Sequence, residues 1–202
     1  QTCRHATLQM QGVSEDVTEQ QGRFEFVQKS SRIGLCTPLE RFDGAMREMF
    51  KDEKLMAHIP MLYNMSEDAM QKRRSGHRED YKSGSSCFFD VVELSSGKLI
   101  GTSGFRSVDR EQSEAEWGII IATRCQRKGL AAECLSMCNK HAKKVLKVGK
   151  IIANTSAKNA PMIAFFKKHG FKTSGEWTKD NSSVDGNDCE KRATWVKFEL
   201  TL

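Results

Sequence analysis

Residues 117–171 constrain the fold more than any other part of the sequence. They begin with an apolar run that predicts a buried strand, pass through a basic turn around Gly129, and enter a helical stripe of apolar residues. A second short strand is predicted over residues 150–154, and Asn159 then starts a further helix that ends near Gly170. A strand, a helix and a strand in this order form a right-handed crossover between parallel strands. The segment therefore predicts an α/β fold.

The basic turn before the first of these helices suits an anion. Three cations, Arg124, Arg127 and Lys128, flank one glycine at the start of the helical pattern. A helix N-terminus presents unpaired backbone N–H groups and a partial positive charge, so it can hold a pyrophosphate. Gly129 has no Cβ, which lets the backbone come close to the phosphates. The turn is a candidate site for a phosphorylated acyl carrier.

Two blocks in this segment resemble the acetyl-CoA site of the GCN5-related N-acetyltransferase (GNAT) family. The family signature Arg/Gln-x-x-Gly-x-Gly/Ala stands at residues 126–131, and residues 132–135 are similar to the helix start of the family's ribosomal-protein branch. Residues 159–171 are similar to the family's asparagine-capped helix, which ends in Gly-Phe. Two blocks in the right order, with a strand between them, make a specific match. A looser resemblance covers about residues 31–202.

The resemblance implies acetyl-CoA as the cosubstrate and no metal. In the family, the strand before the glycine turn diverges from its parallel neighbour, and the pantetheine arm bonds to strand backbone in the gap. A backbone N–H there would also stabilise the developing oxyanion. The residues that the resemblance places at acetyl-CoA are Ile119, Ile120, Ile121, Gln126, Arg127, Lys128, Gly129, Leu130, Ala131, Asn154, Asn159 and Phe166. The three isoleucines would act through their main chain, while their side chains fill the core.

Acetyl transfer to an amine also needs the amine in its neutral form. Deprotonating a lysine amine at neutral pH costs about 4.6 kcal/mol, whereas an α-amino group costs only about 1.4 kcal/mol. A general base is therefore needed more for the first acceptor than for the second. Glu116 resembles a family position that often holds glutamate, so it is the candidate base. Glu114 lies two residues away on the same strand face, and a purely solvated Glu116 is the alternative interpretation.

The usual acid of the family is missing from this sequence. Many members carry tyrosine seven residues after the capping asparagine, where it protonates the leaving thiolate, and this sequence has Phe166 there. The ribosomal-protein branch often uses serine three residues after that asparagine, and this sequence has Met162. Neither side chain can donate a proton. Protonation would have to come from water or from another residue, or would not be needed.

The rest of the pattern indicates one domain over residues 23–202 and a flexible arm over residues 1–22. Strands before and after the single crossover predict a mixed, mostly antiparallel sheet with helices on both faces.

Several local elements are also predicted. A capping box is predicted at residues 37–40, and Lys72-Arg73-Arg74 is interpreted as a solvated helix face. The apolar stripe of the crossover helix is predicted at Leu130, Cys134, Cys138, Ala142 and Val145. Two hairpins and a closing pair of strands are predicted over residues 24–35, 88–105, 171–177 and 194–200.

Composition and charge limit the class of protein. The 202 residues are 38% hydrophobic and 29% charged, which are the proportions of a globular domain. No apolar stretch approaches the roughly 18 residues that span a bilayer. The seven cysteines lack paired spacing, which favours a cytoplasmic protein, with a nuclear one left open. The net charge of +6 permits nucleic-acid binding, but the cations are spread along the chain, and CoA phosphates would occupy those of the turn.

The leading hypothesis is an acetyl-CoA-dependent N-acetyltransferase that acts on a small amine or a protein N-terminus by direct attack in a ternary complex. One alternative is a CoA-binding module without catalysis, suggested by Phe166 and Met162. Another is a dinucleotide-binding oxidoreductase, whose turn would need three glycines and whose next strand would end in an acidic residue. This sequence has neither feature. The acceptor and the formation of a homodimer stay open, and no membrane or nucleic-acid partner is expected.

Overall fold

One eight-stranded sheet organises the described part of the protein. The computed structural model describes residues 25–180 and 192–202. In chain order the strands are β1 (Phe26–Lys29), β2 (Ile33–Cys36), β3 (Cys87–Glu93), β4 (Leu99–Asp109), β5 (Glu114–Ile121), β6 (Lys150–Ser156), β7 (Lys172–Asp180) and β8 (Arg192–Thr201). Across the sheet they lie in the order β1-β2-β3-β4-β5-β6-β8-β7. Neighbours are antiparallel except for β5 and β6, which are parallel.

Helices cover both faces of this sheet. They are α1 (Asp43–Met49), α2 (Glu53–Met56), α3 (Glu67–Ser83), α4 (Leu130–His141) and α5 (Ala160–Lys168). α4 and α5 bury the larger core on one face, and α1 to α3 bury a smaller core on the other. α4 joins β5 to β6 and forms the crossover. The predicted fold class, a mixed and mostly antiparallel sheet with one parallel crossover and helices on both faces, is confirmed.

The predicted hairpins are present as well. β1 and β2 are joined around Ser30, and the turn between β3 and β4 contains Gly97 at φ +64°. The register of β3 and β4 shifts next to the pair of Val91 and Gly101, which marks an irregularity of the β-bulge kind. The predicted arm over residues 1–22 lies outside the described residues. Within the described part of the chain, no helix has both the length and the apolar composition needed to cross a membrane.

The end of α4 differs from its predicted pattern. Four of the five predicted core positions are buried, but Val145 is 58% exposed. A π-helical turn over Ala142–Leu146 follows α4, and its wider turn moves the core-facing position one residue onward, to buried Leu146. The prediction for Val145 was wrong because 3.6-residue spacing does not hold in a π turn. Lys147 then ends the helix in the left-handed conformation, at φ +59°.

The segment before α1 does not form the predicted capping box. Residues 37–40 lead into a 3₁₀ turn over Glu40–Phe42, and Leu39 stands at its start without a side-chain cap. The N–H of Leu39 donates instead to Oδ2 of Asp90 at 2.9 Å. The hydrogen-bond acceptor for the start of this turn thus comes from a side chain of β3, and not from the predicted capping box.

The basic run at the centre of α3 is only partly solvated. Lys72 is exposed, whereas Arg74 is 2% exposed and pairs with the fully buried Asp90 of β3. Nη1 and Nη2 of Arg74 donate to the two oxygens of Asp90 at 2.6 and 2.8 Å, and Nε donates to Asp43 at 2.7 Å. Bidentate bonds of this kind fix the relative orientation of their partners. Arg74 therefore holds α3 against β3 and α1, and the prediction of a solvated Arg74 was wrong.

Candidate functional site

The two parallel strands separate partway along their length. Parallel pairs run from Glu114 with Lys150 to Trp117 with Ala153, and the register ends there. β5 nevertheless continues to Ile121 on β4, and β6 continues to its end on β8. Two strands that stay bonded to their outer neighbours, but no longer to each other, leave a gap between them. The gap begins directly before the basic turn.

The backbone of β5 reaches this gap at alternate residues. The N–H of Ala122 donates to the carbonyl oxygen of Ile100 on β4, at 2.8 Å. Successive residues of a strand present their N–H and C=O groups to opposite sides, so Ile119 and Ile121 face the gap and Ile120 faces β4. The main-chain role predicted for all three isoleucines therefore fits Ile119 and Ile121 but not Ile120.

The basic turn has the backbone shape that the sequence suggested. Gly129 precedes α4 at φ +80°, a conformation that glycine adopts without a steric penalty. Arg127 has φ +59°, which is unusual for a residue with a Cβ. Gln126, Arg127 and Lys128 are exposed, Leu130 is buried and Ala131 is half-buried. Nε2 of Gln126 donates to the carbonyl oxygen of Ile121 at 2.9 Å, which ties the turn to the end of β5.

A fourth cation, Arg32, joins the turn from the β1–β2 hairpin. Its Nη2 atom lies 3.4 Å from the position that a Cβ on Gly129 would occupy. Arg32 also donates through Nε to Glu133 at 2.6 Å, and the hydroxyl of Ser30 donates to the same carboxylate at 2.5 Å. Glu133 lies in the first turn of α4, where its charge would repel a phosphate, and Arg32 offsets that charge. Arg32 was not among the predicted site residues, because it lies 101 residues from Glu133 along the chain and no local pattern marks it.

Two asparagines lie beside the gap on β6 and at the start of α5. Oδ1 of Asn159 accepts from the N–H of Met162 at 3.3 Å, which confirms the predicted helix cap. Its Nδ2 donates to the hydroxyl of Thr155 at 3.1 Å. Asn154 follows the last β5–β6 pair, and its Oδ1 is buried with no hydrogen-bond partner among the described residues. An orphaned polar atom at this place is consistent with a ligand that fills the gap.

Glu116 lines an open cavity next to the split, and Asn154 lines the same cavity. Glu114 and Glu116 alternate with buried Ala115 and Trp117, so they project from the face opposite α4 and α5. The cavity has a volume of about 340 Å³, and Trp177 also lines it. Glu114 is paired with a lysine on β6 at 2.8 Å, whereas the cation beside Glu116, on β4, is 3.8 Å away. The carboxylate of Glu116 is therefore freer than that of Glu114 to accept a hydrogen bond or a proton.

These features are matched by one known family over most of the chain. Residues 32–172 match the family model described as an acetyltransferase (GNAT) domain. The chain belongs to the GNAT acetyltransferase family. The gap, the turn and the capped helix are thus parts of a GNAT domain, and the resemblance stated from the sequence is confirmed.

One relative of this GNAT chain matches part of its sequence, and two solved structures share its fold. The uncharacterized N-acetyltransferase p20 of Bacillus licheniformis is 26% identical over 87 residues, a match that covers 43% of this chain and about half (49%) of p20. The ribosomal L7/L12 alpha-N-protein acetyltransferase RimL has a TM-score of 0.77 at 14% identity, covering 92% of this chain and 99% of RimL. Spermidine N-acetyltransferase from Vibrio cholerae has a TM-score of 0.70 at 16% identity, covering 85% and 96%.

The GNAT position that often carries a tyrosine is part of the core in this chain. Phe166 is 2% exposed and packs against the rings of Phe171 and Phe198, with centroids 5.1 and 4.9 Å away. It also meets the ring of Trp117 at 6.2 Å, just before the split. Phe166 thus fills the floor beneath the gap, and its buried side chain does not support the predicted contact with acetyl-CoA.

Proposed function

We propose that this protein transfers the acetyl group of acetyl-CoA to a primary amine, on a small molecule or a protein N-terminus, by direct attack in a ternary complex. The observation that carries the proposal is the split between β5 and β6, which opens directly before a cationic turn at a helix N-terminus. Relatives of similar fold support it: RimL is known in complex with coenzyme A, and the Vibrio cholerae enzyme with CoA and spermine.

The residues present fit acetyl-CoA on both sides of the gap. The left-handed Gly129 and the exposed Arg127 and Lys128 would hold the pyrophosphate at the start of α4. The main-chain groups of Ile119 and Ile121 would bond the pantetheine arm. Asn154 and Asn159 lie on the opposite wall, and the unpartnered Oδ1 of Asn154 could accept a hydrogen bond there.

Bound acetyl-CoA would supply an activated thioester, and this chain's residues would position the amine and move its proton. Glu116 would take the proton of the amine, directly or through a water, as the nitrogen bonds to the carbonyl carbon and the carbon–sulfur bond breaks. A backbone N–H of β5 in the gap would stabilise the negative charge on the carbonyl oxygen. The thiolate would leave unprotonated or take a proton from water, because Met162 and Phe166 cannot donate one.

A turnover assay tests this proposal. The purified protein is incubated with acetyl-CoA and a panel of primary amines and N-terminal peptides, while the free CoA thiol and the acetylated product are measured. We expect thiol release that depends on the amine and equals the product formed. A second candidate, a CoA-binding module without catalysis, is suggested by Phe166 and Met162. Calorimetric binding of acetyl-CoA with no turnover on any amine would favour that second function.

Arg127→Gly is expected to weaken acetyl-CoA binding without weakening the fold. The change removes one cation of the turn, which we expect to lower the affinity by roughly tenfold, the equivalent of about 1.4 kcal/mol. The change also affects stability in two opposite ways. Glycine relieves the backbone strain of a residue held at φ +59° in the folded protein, but it also gives the unfolded chain more conformational freedom. Stability should therefore change by less than about 1 kcal/mol. Calorimetry and urea unfolding measure the two effects.

Lys147→Gly is the matched control for that variant. Lys147 is also an exposed cation at φ +59°, but it lies at the opposite end of α4. Its replacement changes charge and backbone in the same way, so it should leave acetyl-CoA affinity unchanged. Equal affinities in the two variants would remove Arg127 from the proposed phosphate site.

Asn159→Ala is expected to lower both stability and acetyl-CoA affinity. Loss of the cap of α5 should cost about 1 kcal/mol of unfolding free energy. Ser66→Ala removes a comparable cap, since Ser66 accepts from the N–H of Ala69 at 3.2 Å at the start of α3. Affinity should fall only in Asn159→Ala, measured by calorimetry. If both variants bind acetyl-CoA equally well, Asn159 is a structural cap alone.

A further inference from the structure

A second cavity lies on α3, on the same side of the sheet as Glu116. It has a volume of about 390 Å³, and its polar lining comes from Lys72, Arg73, His77 and Asp80. The ring of His77 stacks on the ring of Phe88, with centroids 4.8 Å apart. Phe88 in turn lies 3.6 Å from the position that a Cβ on Gly118 would occupy, and Gly118 is the first residue of β5 beyond its last pair with β6. The ring of Phe88 therefore lies between the cavity and the start of the split.

Of two neighbouring arginines, Arg73 lines this cavity without a close acidic partner in the described part of the chain, and Arg106 has only a long ion pair with Glu116. Arg73 is half-buried, and no carboxylate oxygen of the described residues lies within 4.0 Å of its guanidinium. Burial lowers the pKa of Arg73, and so does repulsion from Arg106 and Arg74. The charge of Arg74 is already matched by its buried carboxylate on β3. Arg106 is 71% exposed, and the acidic group beside it is Glu116, at 3.8 Å.

The other polar groups of the cavity leave room for an anion. Burial, followed by repulsion from Arg73 and Arg74, lowers the pKa of His77 to about 4, so its ring is neutral at pH 7. Nδ1 of His77 is buried and has no hydrogen-bond partner among the described residues. The carboxylate of Asp80, which also lines the cavity, accepts from the hydroxyls of Ser85 and Ser86 at 3.3 Å each. Both of its oxygens thus already accept a hydrogen bond from a serine hydroxyl.

We propose that Arg73 and Arg106, with His77, bind an oxyanion carried by the acceptor, so that the acceptor is an amine with a carboxylate or phosphate group. This rests on the proposed function, because it places the reacting amine at Glu116. Guanidinium groups match carboxylate and phosphate oxygens through paired N–H donors. Arg106 lies 3.8 Å from Glu116 and close enough to Arg73 for their charges to repel, so one small acceptor could reach Glu116 and both arginines. The same arginines would reject a neutral or purely cationic amine.

Binding of matched amine pairs to the CoA-loaded protein tests the proposal without turnover. The pairs are phosphoethanolamine with ethanolamine, an amino acid with its amide, and peptides that differ only by an acidic or amide side chain next to the free N-terminus. We expect calorimetry to show that the anionic member binds at least about tenfold more tightly than its neutral partner in one kind of pair. The kind of pair that shows this difference tells whether the acceptor's oxyanion is a carboxylate or a phosphate. Equal binding within every pair, or no binding of any pair, would overturn the proposal.

Variants assign the preference to the arginines. Arg73→Gln and Arg106→Gln should each reduce the anionic preference to less than about threefold, whereas Lys143→Gln, which removes an exposed cation beside α4, should leave it intact. Arg73→Gln should also raise the melting temperature, because it removes a half-buried charge without a partner. Arg106 is mostly exposed, so its variant carries little risk to folding. A preference that survives in both arginine variants would contradict the assignment, whether or not acetyl transfer is observed.

Discussion

Glu116→Gln is expected to lower kcat by about 10²–10⁴-fold while acetyl-CoA affinity stays near that of the unchanged protein. The amide keeps the size and polarity of the side chain but cannot take the proton of an amine. Steady-state kinetics and calorimetry measure the two quantities separately. The fall in kcat/KM on the acidic side of the pH profile should move as well, because that limb reports the base of the free enzyme.

The control variant Glu114→Gln shows whether the reaction needs a base at Glu116 or only negative charge in the cavity. Glu114 projects from the same face, but its carboxylate is paired with Lys150 at 2.8 Å. An equal loss of kcat in both variants would indicate that the cavity needs charge and not a base at Glu116. Full activity and an unchanged pH profile in Glu116→Gln would mean that the amine loses its proton to water. That result would favour an α-amino acceptor, whose deprotonation costs only about 1.4 kcal/mol.

Arg74→Met is expected to destabilise the fold by about 3–5 kcal/mol in urea unfolding. The change leaves the carboxylate of Asp90 buried without its bidentate partner and removes the bond from Arg74 to the carbonyl oxygen of Leu39, at 3.1 Å. A buried charge without a partner is costly because water cannot solvate it. The neighbouring Arg73 should also lose its position, so the anionic preference proposed above should fall.

Two further variants give this prediction a control. Arg47→Met breaks an ion pair between α1 and α3 in which Glu67 is largely exposed, and it should cost less than about 1 kcal/mol. Combining Arg74→Met with Asp90→Leu removes both buried charges and should recover part of the loss. Recovery should be incomplete, because the N–H and C=O of Leu39 lose their partners. If Arg74→Met costs no more than Arg47→Met, the buried pair does not hold α3 to the sheet.

The parts of the site that could be predicted depend on near neighbours in the chain. Gly129 was expected in a turn because few other residues adopt its φ of +80°. Asn159 was expected to cap α5 because its side chain reaches the N–H of the third residue of its own helix. The apolar run of β5 and the stripe of α4 are likewise repeats within one element. Such signals place the crossover, the turn and the capped helix in order along residues 117–171.

Other parts depend on which distant segments the fold brings together. Arg32 reaches the turn only because the β1–β2 hairpin packs beside α4, and no pattern around position 32 indicates this. The basic run on α3 contains an exposed Lys72, a half-buried Arg73 and a buried Arg74, which look alike in the sequence. The predicted capping box at residues 37–40 is absent for a similar reason. The N–H of Leu39 finds its acceptor on a distant strand, at Asp90 of β3.

The spacing of apolar residues and the chemistry of turns therefore predict the order of the elements and the single parallel crossover, because each acts between residues that are close in the chain. Charge pairing is different, since an arginine carries the same charge in water, in a buried pair or beside another arginine. Burial and the nearest opposite charge decide between these cases, and both are properties of the folded sheet and helices. For this protein the crossover and its basic turn were predictable from residues 117–171, whereas the positions of Arg32, Arg73 and Arg74 were decided by tertiary packing.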